Sequence, residues 1–148
     1  MRLKIFFMFA LFLMPVLFAC AEERILNFDS DIKINTDASL DVAETIKVAC
    51  AGNRIRHGIY RDFPLRYLDH FGNNDKVDFN VLSVWRDGVP ENFHIDNISS
   101  GKRVYIGSKD RLLENGEHTY SLVYHTTRQL GFFKDNAELC WNVTGNRG

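Results

Sequence analysis

The sequence lacks the short motifs that carry the commonest enzyme chemistries. No serine stands in a Gly-x-Ser-x-Gly elbow, no glycine-rich loop ends in Lys-Ser or Lys-Thr, and no His-Glu-x-x-His pair is present. None of the five histidines lies two or four residues from another, the spacings that place two metal ligands on one face of a strand or helix. We therefore expect neither a cofactor nor a metal ion.

The sequence also has no excess of positive charge. Lysine and arginine together number 18 against 19 aspartates and glutamates, a formal net charge of −1. Residues 1–21 hold two basic residues and no acidic one, so the remainder has 16 basic against 19 acidic residues and a charge of −3. Nucleic-acid binding needs clustered Lys and Arg to neutralise phosphates. We therefore expect no nucleic-acid partner.

The first 21 residues have the layout of a signal peptide. Two basic residues among the first four precede an uncharged apolar run at 5–19, close to the ~7–15 residues of a signal core. Ala19-Cys20-Ala21 then offers small residues for a cut before Glu22. We expect cleavage there, which leaves residues 22–148 as one exported domain on the periplasmic or cell-surface side of the membrane.

Two alternatives to cleavage after Ala21 stay open. Leu17-Phe18-Ala19-Cys20 can be read as a lipobox in which Cys20 is acylated, although the bulky Phe18 fits that motif poorly. A retained membrane anchor is the other, although a span needs about 20 apolar residues.

No 12-residue window after position 21 shows a sustained helical stripe, and apolar residues alternate with polar ones instead. The segment 40–50 places its apolar residues on one parity: Leu40, Val42, Ile46, Val48 and Cys50. A period of two predicts a strand. Glu44 interrupts this apolar face, and we expect it at the rim of the sheet, with a paired site as the alternative.

Turn signals separate further strands along the chain. Asp87-Gly88 is the signature of a tight hairpin, and we expect Phe93 and Ile95 in its return strand. Alternating apolar residues place three further sets on strand faces: Val77, Phe79, Val81, Ser83 and Trp85; Val104 and Ile106; Tyr120, Leu122 and Tyr124. Seven or eight short strands at this spacing predict an all-β fold, an antiparallel β-sandwich, with a closed barrel as the alternative.

The stretch His57-Gly58-Ile59-Tyr60-Arg61-Asp62-Phe63-Pro64 is the most unusual in the sequence. Ile59 and Phe63 share the parity of Arg61, so Arg61 is expected among apolar neighbours, where a charge needs a carboxylate or carbonyl partner. Gly58 and Pro64 indicate a strand that crosses or ends at a corner. We favour this structural interpretation, and the alternative is that Tyr60, Arg61 and Asp62 contact a ligand.

Two long segments, 46–64 and 117–146, resemble the N-terminal domain of the domain of unknown function 2207 family, a group of predicted membrane proteins. The most specific pieces are residues 57–64 (HGIYRDFP), 116–120 (GEHTY) and 141–146 (WNVTGN). The sequence departs from the family pattern at Cys140, where relatives tend to carry an aromatic residue. The resemblance covers nearly all of the chain after the signal.

The resemblance implies an extracytoplasmic domain followed by membrane spans, and it implies no reaction, cofactor or catalytic residue. Relatives continue beyond the position of Gly148 into further strands and a membrane span, so we expect a sandwich that is incomplete at its C-terminus, a fragment of a membrane-associated protein.

Two function hypotheses follow. The favoured one is a non-catalytic extracytoplasmic binding or assembly domain whose partner is an unknown protein or envelope ligand. The rival is an envelope enzyme that acts on carbohydrate or peptide through a carboxylate pair, such as Asp62 with Glu44.

Cysteines are few. Once residues 1–21 are removed only Cys50 and Cys140 remain, and an exported pair can oxidise to a disulfide. Bridging also needs Cα atoms within about 7 Å, which the sequence leaves undetermined.

Overall fold

The computed structural model describes residues 22–68, 74–127, 129–132 and 137–139. These residues contain strands and connecting turns, and no helix. The strands are β1 (Arg24–Ile34), β2 (Leu40–Cys50), β3 (Gly58–Pro64), β4 (Arg66–Leu68), β5 (Asn74–Lys76), β6 (Phe79–Arg86), β7 (Val89–Pro90), β8 (Phe93–Ile98), β9 (Gly101–Gly107), β10 (Gly116–Thr126), β11 (Leu130–Phe132) and β12 (Ala137–Leu139).

Two antiparallel sheets form the body of the domain. The larger has five strands in the order β1-β2-β10-β6-β7, and the smaller has three in the order β3-β9-β8. Two further pairs, β4 with β5 and β11 with β12, are two-stranded. The prediction of an all-β fold built from antiparallel sheets is confirmed, and its two main sheets are consistent with a sandwich.

The core lies between the two sheets. The centre of the five-stranded sheet, β2 and β10, supplies residues that are almost fully buried, and the three-stranded sheet covers them with Phe63, Val104 and Ile106. The ring of Phe63 meets that of Phe79 at 4.4 Å and that of Tyr124 at 4.9 Å, which joins the two sheets through aromatic contacts. The parities predicted for 40–50 and for Tyr120, Leu122 and Tyr124 are confirmed.

The predicted face of β6 is wrong at its C-terminal end. Val81 pairs with Tyr124 and Ser83 with Val123, so Leu82 is an extra residue in β6, a β-bulge. The bulge reverses the parity of the residues that follow. Val84 is therefore buried in the core, whereas Trp85, which was predicted on the apolar face, is 41 % exposed.

The predicted hairpin exists, but its return strand is short. Asp87 and Gly88 have φ angles of 52° and 81°, as a type I′ turn requires, and they join β6 to β7. The expectation that Phe93 and Ile95 continue this return strand is wrong, because the segment Phe93–Ile98 pairs with β9 in the other sheet. Pro90 ends β7, and without an amide hydrogen it cannot donate to a ladder.

Candidate functional site

A buried ion pair connects the two sheets through the core. Arg61 Nε donates to Glu44 Oε2 at 2.8 Å, and Arg61 Nη2 donates to Glu44 Oε1 at 2.8 Å. Tyr124 Oη also donates to Glu44 Oε1, at 2.9 Å. Glu44 is 0 % exposed at the middle of β2, so its predicted rim position is wrong and the alternative of a paired site is correct. The carboxylate is tolerated there because three hydrogen bonds satisfy it.

Arg61 has the environment that the sequence predicted for it. Its side chain is buried on the same face of β3 as Phe63, and its guanidinium carbon lies 5.0 Å from the ring centre of Phe28 and 5.3 Å from that of Phe63. Of the two partners expected for it, a carboxylate or a carbonyl, the structure shows a carboxylate, that of Glu44. Residues 58–64 of the stretch form an edge strand that pairs with β9 along its whole length and ends at Pro64.

The opposite face of the three-stranded sheet, here called the outer face, points away from the core. Its aromatic row runs across all three strands, because Tyr60 of β3 pairs with Tyr105 of β9, which pairs with His94 of β8. The rings of His94 and Tyr105 stack at 4.6 Å with a 12° interplanar angle, and the ring centres of Tyr60 and Tyr105 lie 5.9 Å apart. Tyr60 is 56 % exposed. Cross-strand contacts of this kind orient the rings on a rigid support.

Asp62 and Arg103 form the next pair along the outer face. Arg103 Nε and Nη2 donate to Asp62 Oδ1 and Oδ2 at 2.5 and 2.7 Å, and the guanidinium carbon lies 4.2 Å from the ring centre of Tyr60. The hydrogen bonds to Asp62 and to the Tyr105 hydroxyl raise the pKa of Arg103. The two-point hydrogen bond and the cation–π contact fix the guanidinium beside the aromatic row.

The structure therefore separates the residues that the sequence analysis grouped as one candidate site. Arg61 points into the core, whereas Tyr60 and Asp62 belong to the outer face. Glu44 and Asp62, the pair considered for an enzyme, lie on opposite faces of the three-stranded sheet and each is bound to a different arginine. This pair cannot flank one scissile bond.

A second buried carboxylate, Glu91, was not singled out in the sequence. It accepts hydrogen bonds from Arg86 Nε at 2.5 Å and from Arg111 Nη2 at 2.7 and 2.8 Å. Burial raises the pKa of Glu91, but the hydrogen bonds from Arg86 and from the Asn92 amide outweigh it, so the net shift is downward. The signal in the sequence was only that Glu91 follows Pro90 directly after a hairpin. Its role is to tie the β7–β8 connection to β6 and to the loop after β9.

The outer face contains a cleft at the end of the aromatic row. Gly58 pairs with Gly107 in the row next to Tyr60 and Tyr105, so no side chains fill that part of the face. The cleft has a volume of about 410 Å³, and Arg54, His57 and Lys109 also line it. That volume lies within the ~300–1,000 Å³ of ligand pockets. The sequence did not reveal this cleft, because it depends on the register between β3 and β9.

Metal ligands and cysteines add little to the site. Within the described part of the chain, no group of three or more His, Cys, Asp or Glu side chains is placed to hold a metal ion. Cys50 is buried, and its thiol donates to the carbonyl oxygen of Ile55 at 2.8 Å. Cys140 lies outside the described residues, so the disulfide between the two stays a prediction.

The described residues thus form an all-β domain with a buried ion pair in its core and an aromatic row on its outer face. The family described as "Predicted membrane protein (DUF2207) N-terminal domain" matches residues 24–147, and the chain belongs to this family. It is similar to Uncharacterized protein YciQ of Escherichia coli (strain K12), with 33 % identity over 125 residues. The match covers 84 % of this chain and 20 % of that relative, so the chain spans about a fifth of the relative's length.

No solved structure matches this chain. In residues 22–68, 74–127, 129–132 and 137–139 there is no helix long and apolar enough to cross a bilayer.

Proposed function

We propose that this chain is a non-catalytic extracytoplasmic binding or assembly domain of a membrane protein, and that it presents its outer face to a ligand or partner in the cell envelope. The family is one of predicted membrane proteins. The charged start, apolar run and small residues at the expected cut support export of residues 22–148.

The observation that carries the proposal is the exposed aromatic row. Tyr60, Tyr105 and His94 lie on the face opposite to the one that supplies Phe63, Val104 and Ile106 to the core, so their rings are not part of the core. Aromatic residues and arginine are enriched at binding surfaces, since they offer a large contact area with few rotatable bonds. Arg103, fixed by Asp62 over Tyr60, adds a planar guanidinium of defined position beside the aromatic row.

The rigidity of the sheet supports binding over catalysis. The Arg61–Glu44 pair joins the three-stranded sheet to the centre of the five-stranded sheet, and both of its charges are used in that contact. A surface held in this way loses little conformational entropy when a ligand binds. No lid or acid and base pair is required of such a surface.

The proposal is tested by sedimentation of the purified full chain with isolated envelope material. We compare the unaltered chain with the double variant Tyr60→Ala/His94→Ala. Leu82→Ala is the matched control, because Leu82 is 54 % exposed on the five-stranded sheet. We expect the bound fraction of the double variant to be at least about fivefold lower than that of the unaltered chain, since truncating central aromatic contacts costs over ~1 kcal/mol. The control should bind as the unaltered chain does.

Equal sedimentation of all three proteins would contradict the proposal that the outer face is the binding surface. Release of sugar or peptide fragments from the envelope material by the unaltered chain, absent from a buffer control, would favour the rival enzyme hypothesis.

A further inference from the structure

The cleft on the outer face, here called the glycine cleft, has a floor that the backbone keeps bare. Gly58 and Gly107 have φ angles of 138° and 131°, which other residues rarely adopt. A Cβ atom added to Gly58 would lie 1.8 Å from the carbonyl oxygen of Ile106, and one added to Gly107 would lie 2.0 Å from that of His57. The two strands therefore approach closely only because both positions are glycine, and the cleft is a built feature of this pairing.

The wall of the glycine cleft is aromatic. Tyr60, Tyr105 and His94 border the bare floor along one side. An aromatic ring presents a negative face, and the positive edges of C–H groups pack favourably against it. A saturated ring with several axial C–H groups on one face, such as a pyranose sugar, fits this wall.

The rim of the glycine cleft carries unused positive charge. Arg54 and Lys109 are both exposed cleft residues, and in the described part of the chain neither side chain has an acidic partner. Arg103, in contrast, is bound to Asp62 and does not offer a free charge. Two unpaired cations beside one cleft attract an anionic group such as a carboxylate or phosphate.

His57 supplies an acceptor at the same rim. Its Nδ1 lies 3.1 Å from the carbonyl oxygen of Arg111, so Nδ1 carries the hydrogen and donates it. In the neutral ring Nε2 is then an acceptor, and among the described residues it has no hydrogen-bond partner. A ligand hydroxyl can donate to this nitrogen.

We infer that the glycine cleft binds an acidic sugar, a pyranose ring that carries a carboxylate or a phosphate. The inference rests on the proposed function, because it names the ligand class of the same outer face. The ring packs on the aromatic row, the anionic group meets Arg54 and Lys109, and a hydroxyl donates to His57. No bond is made or broken.

The experiment titrates the purified full chain with glucuronate, glucose 6-phosphate, glucose and inorganic phosphate, and each dissociation constant is measured by isothermal titration calorimetry. We expect glucuronate or glucose 6-phosphate to bind at least tenfold more tightly than glucose. In Arg54→Gln/Lys109→Gln this preference falls at least tenfold, whereas Lys33→Gln, an exposed change on the other sheet, leaves it unaltered. Tyr60→Ala weakens the binding of acidic and neutral sugars alike.

Each other outcome decides against the inference or refines it. Glucose bound as tightly as glucuronate and glucose 6-phosphate would overturn the anionic part, and inorganic phosphate bound as tightly as glucose 6-phosphate would overturn the sugar part. Tighter binding of glucuronate identifies the anionic group as a carboxylate, and tighter binding of glucose 6-phosphate identifies it as a phosphate. If no sugar binds while Tyr60→Ala/His94→Ala still loses envelope binding, the ligand class is wrong and the proposed function stands. If envelope binding is also unaffected, both fail.

Discussion

Single charged residues have opposite roles in this molecule depending on which face of β3 they occupy. Arg61 is buried with Glu44 and Tyr124, and Asp62, the next residue, is bound to Arg103 on the outer face. Breaking a buried pair leaves an uncompensated charge in the core, whereas breaking a partly exposed pair returns both charges to water. The same type of contact is therefore expected to have very different effects on stability.

We expect Arg61→Leu to lower the free energy of unfolding by about 3–5 kcal/mol, because Glu44 would stay buried without its cation. The double variant Arg61→Leu/Glu44→Leu should recover most of that loss. Arg103→Leu, the surface control, should cost about 1 kcal/mol or less. Urea denaturation of the full chain measures all three, and a double variant as unstable as Arg61→Leu would contradict the proposed role of the pair.

Two buried tyrosines of β10 offer a matched test of hydrogen bonding in the core. Tyr124 Oη donates to Glu44 at 2.9 Å, whereas Tyr120 Oη is buried and has no hydrogen-bond partner among the described residues. Burial raises the pKa of Tyr120 to about 12. We expect Tyr120→Phe to stabilise the chain by about 1 kcal/mol and Tyr124→Phe to destabilise it by about 1–3 kcal/mol. Denaturation midpoints that shift in the same direction for both variants would refute this assignment.

At the scale of elements, the connections between strands decide which sheet each strand joins. The Asp87-Gly88 turn returns the chain beside β6 for only two residues before β8 crosses to the other sheet. The turn is also clamped to β10, because Asp87 Oδ1 accepts from the Thr119 amide at 2.8 Å and Asp87 Oδ2 lies 2.7 Å from His118 Nδ1. The second ring nitrogen of His118 lies 2.9 Å from the carbonyl oxygen of Glu114.

The clamp of His118 makes stability depend on pH. Burial lowers the pKa of His118, but the contacts with Asp87 and the Glu114 carbonyl outweigh it and the net shift is upward. A raised folded-state pKa contributes stability that is fully present below the unfolded value of about 6.5 and is lost as pH rises through the folded value. We expect the difference in unfolding free energy between the unaltered chain and His118→Gln to be largest near pH 5.5 and to shrink by pH 9.

The control for this pH dependence is Asp87→Asn, which removes the carboxylate facing His118. Asp87 has a lowered pKa, because the contacts with His118 and Thr119 outweigh a burial effect that raises it. Its own contribution is therefore lost only as pH falls through that lowered value, below the tested range. In the Asp87→Asn background the effect of His118→Gln should vary much less between pH 5.5 and 9, and an unchanged variation would assign the effect to another group.

The close approach of β3 and β9 at Gly58 leads to a second prediction at the scale of elements. Gly58 and Gly116 have similar φ angles of 138° and 142°, but a Cβ on Gly116 would meet nothing within 4 Å, while one on Gly58 would clash with the Ile106 carbonyl. We expect Gly58→Ala to cost about 1–3 kcal/mol more than Gly116→Ala, since the strands would have to move apart. Thermal melting of both variants measures this difference. Equal losses of stability would mean that the backbone φ angle alone, and not the contact with the Ile106 carbonyl, requires glycine at position 58.

At the scale of the whole molecule, the domain belongs to a family of predicted membrane proteins and spans about a fifth of the length of its curated relative. The side of the membrane on which it lies is a proposal that rests on residues 1–21. The core and the Arg61–Glu44 pair hold the two main sheets together. The outer face of the three-stranded sheet is on the side opposite to this core.

We predict that the exported chain begins at Glu22. Small residues precede that position and an uncharged apolar run precedes them, which is the arrangement that signal peptidase recognises. Mass spectrometry of envelope fractions should find this N-terminus. An acylated Cys20 would instead support the lipoprotein alternative, and a cytoplasmic chain that starts at Met1 would contradict export.

Several features of this protein could be predicted from the sequence alone, because they depend on neighbours along the chain. Alternation of apolar residues determined the strand at 40–50 and the buried face of β10, and Asp87-Gly88 determined the hairpin turn. The position of Arg61 between Ile59 and Phe63 was enough to predict that it lies among apolar neighbours and needs a carboxylate or carbonyl partner.

Only the tertiary structure decided which residues meet across the molecule. Glu44 was expected at a rim because its partners, Arg61 and Tyr124, are 17 and 80 positions away in the sequence. The bulge at Leu82, the transfer of β8 to the second sheet and the glycine cleft likewise follow from the register between strands, which is fixed by packing and pairing over long distances. Local alternation assigns each side chain to a face of its strand, and only long-range pairing sets what lies opposite that face.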